Sequence, residues 1–428
     1  MERLMQYVWQ HRLLVQTDLV TVDGRKVVII DPGRLNTDAG PDFFNAKVRI
    51  GDHLWVGDVE IHVRASDWHR HNHDGDRAYD SVVLHVVDRD DTKVCRTNGE
   101  VIPQLQMRCS PDFHLRYHEL VDRADIDLPC AVEIPSVEAI HVADWLTALA
   151  YERVYSKTDH IDELLKFYAG DWEQTCYVIL ARALGFSTNS EPMERLAMSL
   201  PLHFLRKHSD SPLAIEALLF GQGGFLEKVP DCDPYVTELV REHCFFAHKF
   251  SLKPLQPLGW KMARMRPHNF PHRRIALLAR LVTSDFRLVN RIVKATTVEE
   301  LREIFNQPLT GYWTSHFTFG PGSERCYESL SRSSVDILLI NVAIPIMVAY
   351  GTRHGDDALT ERAVSLLQEI PAESNSIVSL FVRAGLPCRD AFTSQALIHL
   401  RRKYCEARKC LYCRLGHRLL SARARRQS

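Results

Sequence analysis

A chain of 428 residues is longer than one hydrophobic core usually organises, so two or three domains are expected. Hydrophobic residues at 45% and charged residues at 25% are those of an ordinary globular protein. A net charge of -1 excludes a surface coated throughout in nucleic-acid-binding charge, although a local basic face remains compatible with it. The charge is uneven: residues 1–130 hold 22 Asp/Glu against 16 Lys/Arg and nine of the 21 histidines, whereas residues 401–428 hold ten Lys/Arg and one acid, Glu406.

Met1-Glu2-Arg3 opens a polar helix with no apolar signal core behind it. Periodicity predicts a helix over 1–14 and strands over 19–22 and 26–30, separated by the turn Asp23-Gly24. Strands over 45–50 and 54–63 follow, joined by Gly51-Asp52 as a hairpin. In the second of these, Val59, Ile61 and Val63 alternate with Glu60, His62 and Arg64, giving one apolar and one ionisable face. Residues 69–80 read as a loop or short helix, 81–87 as a central strand, and 102–107 as a strand closing the sheet.

Beyond Pro129-Cys130 the pattern turns helical. Helices are predicted over 137–168, 172–184, 192–205, 212–220, 234–250, 271–282, 298–305, 334–350, 357–369, 375–384 and 389–414, and the last seven residues as a frayed tail. The longest apolar run, 335–350, carries Asp336, Asn341 and Pro345, so a buried helix is expected, with no membrane span and a cytoplasmic location. Eleven cysteines without a secretory signal read as thiols or metal ligands before disulfides. The fold class expected is α+β: an N-terminal mixed β-sheet domain over 1–130, then an all-helical region over 131–428 with a basic, cysteine-containing C-terminus.

Four clusters carry chemistry. In the first, Asp42 stands on the turn Gly40-Pro41-Asp42, 18 positions before Glu60, and a hairpin can set the two side by side. Glu60 and His62, two apart on a strand, leave the same face. Carboxylate oxygens in that arrangement suit Mg or Mn, which polarises phosphate and activates a water; Asp42, Glu60 and His62 are the expected catalytic and metal residues. The second cluster is His69, His71 and His73 with Asp74, Asp76 and His85; on an extended segment the three alternating histidines would share one side and could hold Zn, Mn or Fe. His85 joins the expected metal ligands.

Cys405, Cys410 and Cys413 form the third cluster. Thiolates at that spacing suit Zn or an iron–sulfur cluster, with His417 or Cys388 as a fourth ligand, provided that the helix breaks near Glu406. The fourth cluster runs from Lys261 to Arg274 and contains Arg264, Arg266, Arg273 and Arg274 with no acid. It is expected either to meet the phosphates of a nucleic acid or to dock onto the helical bundle.

Asp42 on Gly40-Pro41-Asp42, followed by Glu60-Ile61-His62, resembles the PD-(D/E)XK nuclease superfamily over about the first 110 residues. The order of helix, strands, acid-bearing hairpin and further strand is similar to that core, and Glu2 sits where some members carry an additional acid. The sequence departs from the pattern at His62, where the superfamily has lysine. The whole chain resembles a bacterial family catalogued as domain of unknown function 2851. The stretches that carry this likeness are Asn36-Thr-Asp-Ala-Gly-Pro-Asp-Phe43, Gly57-Asp-Val-Glu-Ile-His62, Ser66-Asp-Trp68, Leu84-His-Val-Val87, Arg266-Pro-His-Asn-Phe-Pro271, Ser394-Gln-Ala-Leu397 and Tyr404-Cys405 to Cys410-Leu-Tyr-Cys413. That family implies no activity. The functional expectation is a divalent-metal-dependent, nuclease-like phosphodiesterase whose helical region holds nucleic acid. The alternatives are a non-catalytic scaffold with a large helical interaction surface, and a hydrolase that uses the histidine cluster.

Overall fold

The computed structural model describes all residues except 15–17, 37, 109–110, 122–126, 228–232, 254, 256–258, 285–286, 325 and 425–428. The chain divides into two compact units. Unit 1 comprises Met1–Trp145, Ala384–Leu386 and Arg401–Ser428; unit 2 comprises Leu146–Arg383 and Pro387–Leu400. The expected contiguous helical region 131–428 is therefore not one body: the cysteine-bearing C-terminus belongs to the N-terminal unit. The boundary falls inside the long helix Ala139–Phe167.

Unit 1 is α+β. Helix α1 (Glu2–Gln10) precedes seven strands: β1 (Leu19–Val20), β2 (Lys26–Asp31), β3 (Arg34–Leu35), β4 (Phe43–Ile50), β5 (His53–Arg64), β6 (Val82–Arg89) and β7 (Gln104–Gln106). They form one mixed sheet in the order β1-β2-β4-β5-β6-β7, with β3 also on β4. Pairing is antiparallel as far as β4–β5 and parallel for β5–β6 and β6–β7. The sheet curls until its ends meet, nearly as a barrel: the Val22 N–H donates to Gln104 O at 2.8 Å, and Thr21 bridges Leu105.

Phe43, Val48, Ile50, Val59, Ile61, Leu84 and Val86 build a core with Leu4, Met5, Tyr7, Val8 and Trp9 of α1. A nine-residue helix does not persist by itself. Its stability comes from this buried face, at about 1.5–3 kcal/mol per large side chain. Gly57 is required where β6 begins, because a Cβ there would lie 2.4 Å from Val83 Cγ1 and 2.6 Å from Ser81 O. The helix Pro111–Val121 was not signalled by periodicity, since Asp112, His114, Arg116, His118 and Glu119 dilute its apolar pattern.

Unit 2 is helical among the described residues apart from an isolated bridge between Pro371 and Asp390. Its helices fall largely in the expected ranges, although 192–205 holds two helices, Ser190–Ser199 and Leu202–Arg206, and Leu288–Lys294 was not expected; Thr297 and Glu300 form a capping box on Val298–Phe305. The apolar stretch Arg332–His354 is long and apolar enough to cross a membrane by composition, yet 78% of its most apolar window is buried inside the fold. The helix that closes the chain reaches Ala424. Of the expected frayed tail, Arg425 and Arg426 lie outside the described residues.

Candidate metal centre

The site is built where β4, β5 and β6 meet. Asn45, with φ of 56°, lies at a bulge between Phe43 and Ala46, and its N–H donates to Asp58 Oδ1 at 3.0 Å. The bulge bends β4 as it pairs with β5. Just before β4, the loop carrying Asp42 is pinned by Asn36, whose N–H bonds Asp42 O at 2.7 Å and whose amide bonds Pro41 O at 3.0 Å. Asp42 thereby comes beside Glu60. On β5, Glu60 and His62 leave one face while Val59 and Ile61 enter the core on the other. The parallel register sets His85 of β6 opposite Glu60.

A parallel pair needs a crossover connection, and here the crossover supplies the remaining donors. It contains α2 (Asp67–Arg70), then Asn72 in the left-handed conformation at φ 60°, then 3₁₀ turns over His73–Gly75 and Arg77–Tyr79. The segment is therefore not extended, and the three histidines do not share a side. His69 faces outward to Asp74 at 3.6 Å. His71 and His73 turn in over His62.

One ligand atom from each of His62, His71 and His73 falls within 4.8 Å of the others. His62 Nε2 lies 3.2 Å from His71 Nδ1 and 3.4 Å from Glu60 Oε1, and His73 Nε2 is also 3.4 Å from Glu60 Oε1. His73 is stacked with both His62 and Tyr79. Glu60, His62, His73 and His85 are all buried, whereas His71 is exposed and marks the solvent side. An outer sheet face of solvated Glu and His is excluded by this burial.

Each donor is held by a second layer. Asp42 N–H donates to Glu60 Oε2 at 2.9 Å. Both Asp42 oxygens are occupied by the protein: Oδ1 accepts from Gln6 Nε2 at 2.8 Å and Oδ2 from the Ile61 N–H at 3.0 Å. Asp42 thus orients Glu60 through its own N–H. His62 Nδ1 lies 2.9 Å from His85 Nε2. His85 accordingly sits behind His62, on the nitrogen that points away from His71 and Glu60.

Burial dominates the electrostatics. It pushes the Glu60 carboxyl up to about 8, with the charge of Glu2 adding to the effect. It also lifts Asp42 to about 7, helped by the neighbouring charge of Glu60. The same burial lowers His62 to about 3, with His73 and His71 adding, and holds His85 well below its ordinary range. Burial lowers His73 too. The cluster therefore resists carrying either sign of charge alone.

A divalent cation would resolve this conflict, because it needs neutral imidazoles and an ionised carboxylate. Two further observations fit such an ion. The buried His73 Nε2 makes no hydrogen bond. The separations of 3.2 Å between His62 and His71 and of 3.4 Å from Glu60 to His62 and to His73 are close to the edge of about 3.3 Å expected for a tetrahedral set of bonds near 2.0 Å.

Asp42, Glu60, His62 and His85 are brought together as their sequence pattern implies. Gln6 was missed, although Glu2 and Gln6, four apart, share one face of α1. That spacing was the available signal. The basic cluster behaves differently. Arg273 is buried and donates to the carbonyls of Trp313, His316 and Tyr327. Arg274 donates to Asn269 Oδ1 at 2.5 Å and lies over the Phe186 ring. Neither is free for phosphate, because the helix they open is packed inward; Arg264 and Arg266 are exposed.

Of the thiols, Cys405 ends a π-helical turn, and Cys410 and Cys413 flank a 3₁₀ turn. The continuous helix expected to 414 is broken after Cys405, with Arg408 left-handed at φ 51°. Of the two expected fourth ligands, His417 is hydrogen-bonded through Nδ1 to Tyr7 OH, and Cys388 belongs to unit 2.

Residues 2–376 fit the model of the family described as "Protein of unknown function (DUF2851)". The chain belongs to that family. No curated protein and no solved structure matches it.

Proposed function

We propose that this member of the DUF2851 family is a metal-dependent hydrolase of phosphodiesters, with its ion held by His62, His71, His73 and Glu60. The observation that carries the reading is the convergence of three imidazoles within 4.8 Å of one another, with the buried Glu60 carboxylate 3.4 Å from two of them. Three nitrogens and one oxygen suit Zn, Fe or Mn better than Mg, which favours oxygen ligands. A divalent ion of this class, when bound, polarises a phosphoryl oxygen and lowers the pKa of a water.

The chain's own residues hold the donors in place. Asp42, fixed by Gln6 and the Ile61 N–H, aims Glu60 through its own N–H. With the proton on His62 Nδ1, His85 Nε2 at 2.9 Å accepts it and the His62 Nε2 lone pair is left on the ligand side. Trp68 and Tyr79 pack against His73 and keep water from the buried side. The exposed His71 is the side from which a substrate would reach. The phosphodiester part of the proposal rests on the sequence resemblance of Gly40-Pro41-Asp42 and Glu60-Ile61-His62 to the PD-(D/E)XK nuclease pattern. His62 then serves as a ligand where those nucleases use lysine. Arg264 and Arg266 are the exposed groups of the basic cluster that a nucleic acid could meet.

The test uses the full chain stripped with a chelator and reloaded with Zn, Mn, Fe(II) or Mg. Bound metal would be counted, and cleavage of a chromogenic phosphodiester and of labelled DNA and RNA followed. One tightly bound transition metal and metal-dependent cleavage are expected, both lost in His73→Ala. Absence of bound metal refutes the centre. Bound metal without cleavage refutes the substrate assignment and favours a scaffold with a structural ion.

A further inference from the structure

The sheet face that carries Glu60 and His62 continues beyond the metal centre. On β5 it runs through Leu54, Val56 and Asp58, because alternate residues leave one side of a strand; Trp55, Val59, Ile61 and Val63 pack into the core on the other. The register extends this face over the neighbouring strands. Arg49 of β4 stands opposite Leu54 of β5 on one edge and Val28 of β2 on the other. Lys47 stands opposite Val56 and, on the β2 side, Asp31, next to the bulged Ile30. Lys26, two residues before Val28, stands opposite Val20 of β1. The crossover ends at Asp58, whose Oδ2 accepts from Ser81 Oγ at 2.6 Å. Short of Asp58 the face is open: Leu54 and Val56 are 58% and 57% exposed, and Val28 and Ile30 are each 43% exposed.

Two properties of the open face point to its occupant. The first is a line of unanswered cations. Lys26, Arg49 and Lys47 are exposed and form no side-chain hydrogen bond or ion pair among the described residues. The acid beside Lys47, Asp31, is engaged by its own loop, where Oδ1 accepts the Gly33 N–H at 2.9 Å. Each cation is displaced from the next by two residues along the strands, about 7 Å. The line is directed at Glu60, four residues or about 14 Å past the Val56 that faces Lys47. Cations in such steps suit the successive phosphates of an extended nucleic-acid strand, which carries one negative charge per nucleotide. The second property is the apolar surface on both sides of Arg49 and Lys47: Val28 and Ile30 on β2, Leu54 and Val56 on β5. Contiguous exposed aliphatic surface beside charge marks a binding site. A duplex keeps its base faces stacked inside, whereas a single strand has base faces to bury. A single strand also follows the curl of the sheet, which a stiff duplex does not.

We infer that the open sheet face is a track for single-stranded nucleic acid, which holds the phosphates of one strand on Lys26, Arg49 and Lys47 and its bases on the flanking aliphatic side chains, and leads that strand to the metal centre. That the strand is cut there rests on the phosphodiesterase reading; that it binds here does not. Lys47 then meets the second phosphate from the one at the centre, since two steps of about 7 Å separate them.

Binding is measured on the full chain in chelator, where no metal-dependent cleavage interferes. The probes are labelled oligothymidylate and oligouridylate, a duplex of the same length, polyglutamate and phosphatidylserine vesicles. At least one single strand should bind at least about tenfold more tightly than the duplex. Lys47→Gln with Arg49→Gln should bind it at least about tenfold more weakly, and the slope of log affinity against log salt should fall by about 1.4, or about 0.7 for each lost phosphate contact. Leu54→Ser with Val56→Ser should weaken binding at an unchanged slope, because no charge is lost. All four positions are exposed, so these variants should fold as wild type does; if one does not, photocrosslinks from the single strand to wild type decide instead and should fall within residues 26–30 and 47–56. Equal or tighter binding of duplex, polyglutamate or vesicles, an unchanged affinity in Lys47→Gln with Arg49→Gln, or crosslinks only elsewhere overturns the track. Single-strand binding on this face without metal-dependent cleavage upholds the track and refutes the phosphodiesterase. Cleavage of single strands at an unchanged KM in Lys47→Gln with Arg49→Gln refutes the track and leaves the hydrolase standing.

Discussion

Replacing Glu60 by glutamine should weaken metal binding and strengthen the metal-free fold, and these opposite signs separate a ligand from a structural carboxylate. Gln keeps the shape of Glu, and its carbonyl can still accept the Asp42 N–H that Oε2 now accepts at 2.9 Å. What is lost is the anionic oxygen 3.4 Å from both His62 Nε2 and His73 Nε2. Removing an outer-layer group alone costs 10- to 100-fold in metal affinity, so loss of a direct anionic ligand should cost at least about 100-fold. For the metal-free protein, burial raises this carboxyl from 4.5 to about 8. The folded state therefore binds the proton more tightly than the unfolded chain. Its contribution to stability is full below pH 4.5 and is lost as pH rises towards 8. The integrated loss is up to about 5 kcal/mol at 1.36 kcal/mol per pKa unit. At pH 8.5 in chelator, Glu60→Gln should be the more stable protein by several kcal/mol in urea denaturation. Calorimetric titration with Zn and Mn measures the other half. Metal affinity within threefold of wild type, or a variant less stable than wild type at pH 8.5, would refute the role given to Glu60.

Metal binding should also release protons, because the pair Asp42 and Glu60, raised to about 7 and about 8, is not fully ionised at neutral pH. Affinity should fall up to about tenfold for each pH unit below 8; titrations in buffers of different ionisation enthalpy would detect the protons, and flat affinity between pH 6 and 8 contradicts this. His85→Leu should weaken metal binding by about 10- to 100-fold while removing no ligand, since it frees His62 Nδ1; unchanged affinity would make His85 a mere core residue. Arg273→Ala should destabilise the protein by about 3 kcal/mol or more, because three carbonyls lose their donor, without changing metal content. A loss of nucleic-acid affinity at wild-type stability would return Arg273 to the phosphate-binding role.

The division between what could be read in the chain and what could not follows the range of the physics. The α+β order, the β4–β5 hairpin and the helical second unit were legible because period-2 and period-3.6 patterns, turns and caps are local. Glu60 and His62 were legible for the same reason: alternation on one strand fixes their common face whatever surrounds it. Asp42 was found by hairpin spacing, but the pattern could not show that Gln6 and the Ile61 N–H occupy both its oxygens. His71 and His73 were visible as a cluster, yet their convergence on His62 depends on a left-handed Asn72 and a 3₁₀ turn rather than on an extended segment. Arg273 and Arg274 look like a phosphate site in sequence, and only burial reveals that they brace carbonyls and Asn269. The sequence determined which donors exist and on which face of their elements they lie. Tertiary structure alone decided which of those donors meet, because convergence and desolvation are set by contacts between residues far apart in the chain.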